Sequence, residues 1–213
     1  MIVGISPLAG CHNQRVTDAT IAPRRPWILG IFLSIAGAIG WWSAFQLTID
    51  KFEVLAHPST NLNCNFSVLV QCGKNLGSWQ GSAFGFPNPI LGLGGFAAVI
   101  AVGVALLAGA QFAKWFWIAF NVGIAGALAF VIWLIHESIF DLGTLCPWCM
   151  LVWLVTIPLF WVVTLRNLSQ GVYGARLKGI GSALLSWVIP ITVICYVIVA
   201  LIAQLVLDVI HHL

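Results

Sequence analysis

The sequence predicts an all-α integral membrane protein. Three observations carry that prediction. Of 213 residues, 61% are hydrophobic and 7% are charged, whereas soluble domains carry about 25% charged residues. Five apolar stretches, at about 27–49, 90–109, 112–135, 145–165 and 183–209, reach the roughly 20 residues a helix needs to cross a hydrocarbon core. The basic residues fall on alternate sides of such a five-helix chain: Arg15, Arg24, Arg25, Lys114, Arg166, Arg176 and Lys178 on one side, Lys51 and Lys74 on the other.

In chain order, residues 1–26 form a polar leader, read as cytoplasmic by the positive-inside rule. The first stretch is too long for a signal-peptide core and is read as a retained anchor. The 50–89 connection is the longest and falls on the opposite, extracytoplasmic side; ordered loops of such length usually carry function. The second and third stretches are separated by a tight turn near Gly109 and Lys114, so they form an antiparallel hairpin. The fourth stretch closes a bundle spanning 27–166. Residues 167–182 make a cytoplasmic loop, and 183–213 an additional membrane helix and tail that ends outside. The net charge of +3 and the lack of a Lys/Arg run exclude nucleic-acid binding.

Six cysteines are sorted by this topology. Cys11 lies in the leader and Cys195 within the fifth stretch, where a free Cys is an ordinary small apolar residue. Cys64, Cys72, Cys146 and Cys149 share the outer, oxidising side, where disulfides persist. Cys146-Pro147-Trp148-Cys149 is a CxxC, and Pro147 marks a helix start because its missing N–H has no intrahelical partner there. Free N–H groups and the helix dipole at that end favour a thiolate. At about 1.5 Å per residue, Cys149 lies roughly 4.5 Å deeper than Cys146 on the same face. Cys64 and Cys72 form a second pair, which as an isolated feature reads as a static loop staple. A zinc site fits poorly, since the second pair lacks the short knuckle spacing of zinc-binding halves.

The run Cys64-Asn65-Phe66-Ser67-Val68-Leu69-Val70-Gln71-Cys72-Gly73, then Ser78, then Gly85-Phe86-Pro87-Asn88-Pro89, and finally Cys146-Pro147-Trp148-Cys149-Met150, resembles the bacterial branch of the vitamin K epoxide reductase family. The resemblance covers about residues 27–166. It implies a four-helix bundle around a quinone site, with the fifth membrane helix outside the shared core. It also implies that Cys64 meets a thioredoxin-like partner, Cys72 exchanges with Cys146, and Cys149 faces the quinone. Asn88 takes the place of a family Asn that donates to a quinone carbonyl, with helix capping as its plain alternative. Ser78 matches a Ser near the loop pair that would support a thiolate, or serves as a turn residue. Trp153, one turn from Cys149 on the same face, would stack on the quinone or donate its indole N–H to it; it stands where the vertebrate enzyme has a Tyr, so no phenolic proton is available for epoxide reduction. Phe84 and Phe86 are candidates for the pocket mouth.

These implications describe a thiol–quinone oxidoreductase of the plasma (inner) membrane that reoxidises a separate DsbA-like, thioredoxin-like protein. Its cofactor would be menaquinone or ubiquinone as electron acceptor, with no metal. Partners of that type have potentials near about −120 mV, so a quinone is a competent acceptor. A quinone-linked family in which the CxxC precedes the spaced pair is set aside by chain order. The competing class is a transporter or soft-metal-binding protein using the outer cysteines, but only two Met occur and no His/Cys/Met path crosses the membrane.

Overall fold

The computed structural model describes residues 27–58 and 60–212. Cys11, Arg15, Arg24, Arg25 and the rest of the leader lie outside them. Among the described residues eight α-helices follow in chain order: α1 Trp27–Ala56, α2 Gly73–Gly77, α3 Pro89–Leu107, α4 Lys114–His136, α5 Pro147–Ser169, α6 Ala175–Leu185, α7 Val188–Leu207 and α8 Val209–His212. A 3-10 turn, Trp79–Ser82, precedes α3, and α4 continues as a π-helical turn, Glu137–Leu142. Five segments are long and apolar enough to span a membrane: α1, α3, α4 with its π turn, α5 and α7. The chain is an all-α, multi-pass membrane protein. No strand forms among the described residues; Val70 and Leu145 make one isolated parallel bridge.

Sequence boundaries shift in two instructive places. The first helix runs to Ala56 rather than ending at 49, because no Gly or Pro interrupts it between Gly40 and Pro58. Asp50 and Lys51 are thereby helical, and the buried Lys51 ammonium donates to the Leu76 carbonyl. The fifth stretch does not start at 183. Helix α6 ends at Leu185 and a new helix begins at Val188. Pro190 explains the break: its ring would clash with the carbonyl of Ser186, to which it has no N–H to donate. Residues 167–182 are accordingly not a plain loop, since α6 begins at Ala175 and packs closely on α5, with Gly181 against the Leu168 and Ser169 backbone.

Membrane helices gain little from apolar burial against lipid, so close approach and interhelical hydrogen bonds hold them together. Helices α1 and α3 cross through Gly30 and Gly103. A Cβ on Gly103 would lie 2.7 Å from the Ser34 nitrogen and 2.9 Å from the Gly30 carbonyl. Helices α4 and α5 share a polar seam, in which the Asn167 amide donates to the Trp117 carbonyl at 3.1 Å and to Asn121 at 3.3 Å. Asn121 in turn donates to Thr164 at 3.1 Å. Around these seams pack Leu33, Val99, Leu106, Ile124, Leu159 and Val163.

Helix α7 is fastened to α5 by a polar contact. Pro158 lies inside α5 and leaves the Leu154 carbonyl without its i+4 donor; the Tyr196 hydroxyl of α7 donates to that carbonyl. The C-terminal end of α7 reaches the π turn, with Leu207 beside Gly143. By helix order, Lys114, Arg166, Arg176 and Lys178 lie at the end of the bundle opposite the segment 57–88, and all four predicted redox cysteines lie at or under that segment.

Candidate active site

The segment between α1 and α3 folds back over the bundle as a cap, and backbone hydrogen bonds fix its register. Leu145 donates to the Leu69 carbonyl at 2.8 Å, and Gln71 donates to the Leu145 carbonyl at 3.0 Å. This clamp ties the residues just before Cys72 to the residue just before Cys146. Asn65 completes it: its side-chain oxygen accepts from the backbone of Cys72 at 2.9 Å and of Gly73 at 3.2 Å, capping α2.

Cys64 and Cys72 are joined as a disulfide. The Cys146 sulfur lies 3.1 Å from that of Cys72. Both Cys72 and Cys146 are fully buried, at 0% exposure, under Leu47, Leu62 and Leu76. Pro147 is the first residue of α5 and Cys146 its N-cap, in extended conformation. The Cys146 thiol is therefore held below its ordinary range. The Cys149 thiol donates to it, and the backbone N–H groups of Cys149 and Trp148 add to that, while burial and the Asp50 carboxylate oppose. A depressed thiol is both a better leaving group and a ready nucleophile.

On the Cys64 side, an Asp50 carboxylate oxygen lies 3.4 Å from the Cys64 sulfur. The Asp50 oxygen and the two loop sulfurs lie within 4.8 Å of one another, a grouping of metal-ligand type. Bonded to each other, the sulfurs are not thiolates, the form in which Cys ligates a soft metal.

Beneath the CxxC the bundle encloses a cavity of about 590 Å³. Its upper wall carries Cys149, Asn88, Gln80, Glu137 and Trp153, and its depth is apolar, with Phe96, Val99, Phe120, Ile124 and Leu159. A polar end over a long apolar chamber matches a ring bearing carbonyls and a hydrocarbon tail. One buried atom sharpens the fit: Gln80 Oε1 has no hydrogen-bond partner among the described residues. An orphaned buried acceptor costs about 1–3 kcal/mol unless a ligand satisfies it.

The predicted site residues divide around this cavity. Cys149 and Trp153 line it, with Trp153 on the turn below Cys149. Asn88 lines it too, but its side chain is engaged by the cap, accepting from Ala83 at 3.0 Å and donating to the Gln80 carbonyl. One amide hydrogen remains for a ligand. Phe84 lines the mouth and meets Phe130 in a tilted contact at 5.4 Å; Phe86 stacks on it at 6.3 Å without lining the cavity. Ser78 lies off the cavity, its hydroxyl donating to the Asn75 carbonyl at 2.7 Å, a turn contact. Sequence reasoning missed Asp50, Asn65, Gln80 and Glu137. Glu137 had a visible signal, as an acidic residue two positions beyond an apolar stretch; Asn65 and Gln80 had none.

Against known proteins, the model of the vitamin K epoxide reductase family matches residues 31–164, which is more than half of the chain. The chain belongs to that family. No curated protein and no solved structure matches it. Family membership makes the chain a membrane redox enzyme, and the matched region holds the disulfide, the CxxC and the cavity, ending just short of Arg166. Helices α6 and α7 lie outside the match.

Proposed function

We propose that this protein oxidises the dithiol of a thioredoxin-like protein and passes the electrons to a quinone. The observation that carries the reading is the Cys72–Cys146 sulfur contact of 3.1 Å, set between a loop disulfide and a chamber that Cys149 lines. A thiol–disulfide relay requires each attacking sulfur to reach the next, and this contact supplies its buried step.

The partner thiolate attacks Cys64, the less enclosed end of the loop disulfide, and releases Cys72. The partner's second thiol then attacks the mixed disulfide and frees Cys64. In the next exchange the Cys72 thiolate attacks Cys146 of an oxidised CxxC, and Cys149 leaves as a thiolate. Cys64 closes back onto Cys72 and frees Cys146. Asp50 stands where it can take the Cys64 proton before that closure. Electrons thus reach the Cys146–Cys149 dithiol, whose reoxidation reduces the quinone. The quinone, when bound, supplies the two-electron acceptor; Cys149, Trp153 and the remaining amide hydrogen of Asn88 would hold its ring. Positive charge at the opposite end of the bundle supports an extracytoplasmic cap in a plasma (inner) membrane.

The test is a trapped relay. With Cys64→Ser and Cys149→Ser combined, Cys72 and Cys146 are expected to crosslink the cap to α5. A protease site cut into the turn at 108–113 then leaves two fragments held together until reductant is added. Separation without reductant, together with no quinone-dependent oxidation of a DsbA-like protein by the wild type, would reduce the loop pair to a staple.

A further inference from the structure

Reduction of a quinone takes two electrons and two protons, and the relay delivers them unequally. The thiolate is the reacting form of a cysteine, so closure of the Cys146–Cys149 disulfide from a Cys146 thiolate yields two electrons but one proton, that of the Cys149 thiol. A second proton must come from elsewhere at the cavity. A carboxyl inside a membrane span is costly and normally functional, and one stands on the cavity wall. Glu137 is 8% exposed and lines the chamber. Gln80, also lining it, donates to Glu137 at 3.1 Å, and its own Oε1 has no partner among the described residues.

At the cap end of its span Glu137 has surface-exposed titratable neighbours. His136 Nδ1 lies 3.7 Å from Glu137 and its side chain is 61% exposed. Asp141, four residues on in the same π-helical turn, is exposed. All three lie on or beside the π-helical turn Glu137–Leu142, and such turns recur at functional sites. The other groups about this turn are Lys74 of α2, which bonds the Leu142 carbonyl, Cys149 of α5, and Asp208 at the end of α7, which packs on the turn.

We propose that Glu137 is the proton donor for quinone reduction, reloaded from water through Asp141 and His136, with Gln80 positioning its carboxyl. The step balances. The Cys146 thiolate, the Cys149 thiol, the quinone and the Glu137 carboxylic acid become the Cys146–Cys149 disulfide, the quinol and the Glu137 carboxylate. The unpartnered Gln80 Oε1 is placed to accept from the new quinol hydroxyl. The inference rests on the quinone reading above, and its test separates the two.

Purified protein with a short-chain ubiquinone would be assayed across pH for wild type, Glu137→Gln, Glu137→Asp and Asp141→Asn, and quinone binding followed independently by tryptophan quenching. Glu137→Gln is expected to lower turnover on the order of 10²-fold, as loss of a general acid does, with binding unchanged and the wild-type advantage lost as pH rises and the carboxyl ionises. Glu137→Asp should recover part of the rate. Asp141→Asn, at an exposed position with little bearing on folding, should shift the profile in the same sense. Infrared titration of the quinone-free protein should show a carboxylic-acid band that Glu137→Gln removes. Wild-type turnover and pH profile in Glu137→Gln would overturn the donor role and leave quinone reduction standing. Absence of quinone binding and turnover in the wild type would overturn the function on which both rest.

Discussion

The Cys146 sulfur has two parts in the relay, to meet Cys72 and then to leave from it, and both follow from its N-cap position. Its ionisation is favoured chiefly by the Cys149 thiol and then by two free backbone N–H groups. The sign is that of a depressed acid: the thiolate persists below the about 8.5 of a free thiol and is lost as pH falls through the lowered value. Thiolate absorbance of protein lacking Cys11 and Cys195 should therefore rise at lower pH than a free thiol does. Cys149→Ala should move that rise upward, and Cys149→Ser, which keeps a donor, should move it less. An unmoved curve in Cys149→Ala would assign the depression to the helix terminus alone. At this scale the sequence was legible where chemistry has a spacing. Pro147 announced the helix start, and the depth of Cys149 followed from helical rise. Asn65 and Gln80 were not legible, because an Asn seven residues before a Cys and a Gln in a turn acquire meaning only when the chain folds back upon itself. Ser78 illustrates the converse: its match to a family position gave no information about its hydroxyl, which serves the turn.

At the level of elements, proline placement decided most of what sequence periodicity could not. A uniformly apolar run such as 183–209 has no polar face to mark its ends, so its break was visible only in Pro190. Pro158 is the same device inside α5, and there the structure supplies the compensation, a Tyr196 hydroxyl on the freed Leu154 carbonyl. In lipid such a carbonyl has no water to turn to. Tyr196→Phe should thus destabilise the protein by roughly 0.6 kcal/mol, the measured average for interhelical bonds in membranes. Pro158→Ala returns an N–H to Leu154, so Tyr196→Phe should cost little in that background. Thermal unfolding in detergent of the two single variants and the double variant closes the cycle. Equal losses from Tyr196→Phe with and without Pro158 would show that the hydroxyl does not serve that carbonyl. The cycle also gives α7 a physical role, because this helix lies outside the family-matched region and yet braces α5 and the π turn that carries Glu137.

For the whole molecule, the organising feature is polarity from end to end. The cap, the disulfide, the CxxC and the mouth of the chamber occupy one end, and four of the six described Lys and Arg residues occupy the other. That distribution was readable from the sequence because orientation in a membrane depends on charge counts in short connections rather than on tertiary contacts. The volume and lining of the chamber were not, since they arise from four helices meeting. The two cationic exceptions carry their own account. Lys51 and Lys74 both donate to backbone carbonyls, those of Leu76 and Leu142, so they serve as fasteners for the cap, Lys51 buried and Lys74 at its surface. If orientation follows the remaining four, then a cysteine substituted at Lys178 on α6 faces the cytoplasm and one at His57 in the cap faces outward. In intact cells, with Cys11 and Cys195 replaced by Ser, a membrane-impermeant maleimide should label His57→Cys, and should label Lys178→Cys only after the membrane is opened. The reverse pattern would put the cap in the reducing compartment. There the Cys64–Cys72 disulfide would not persist, and the relay would have to be read as running from quinol toward protein disulfides.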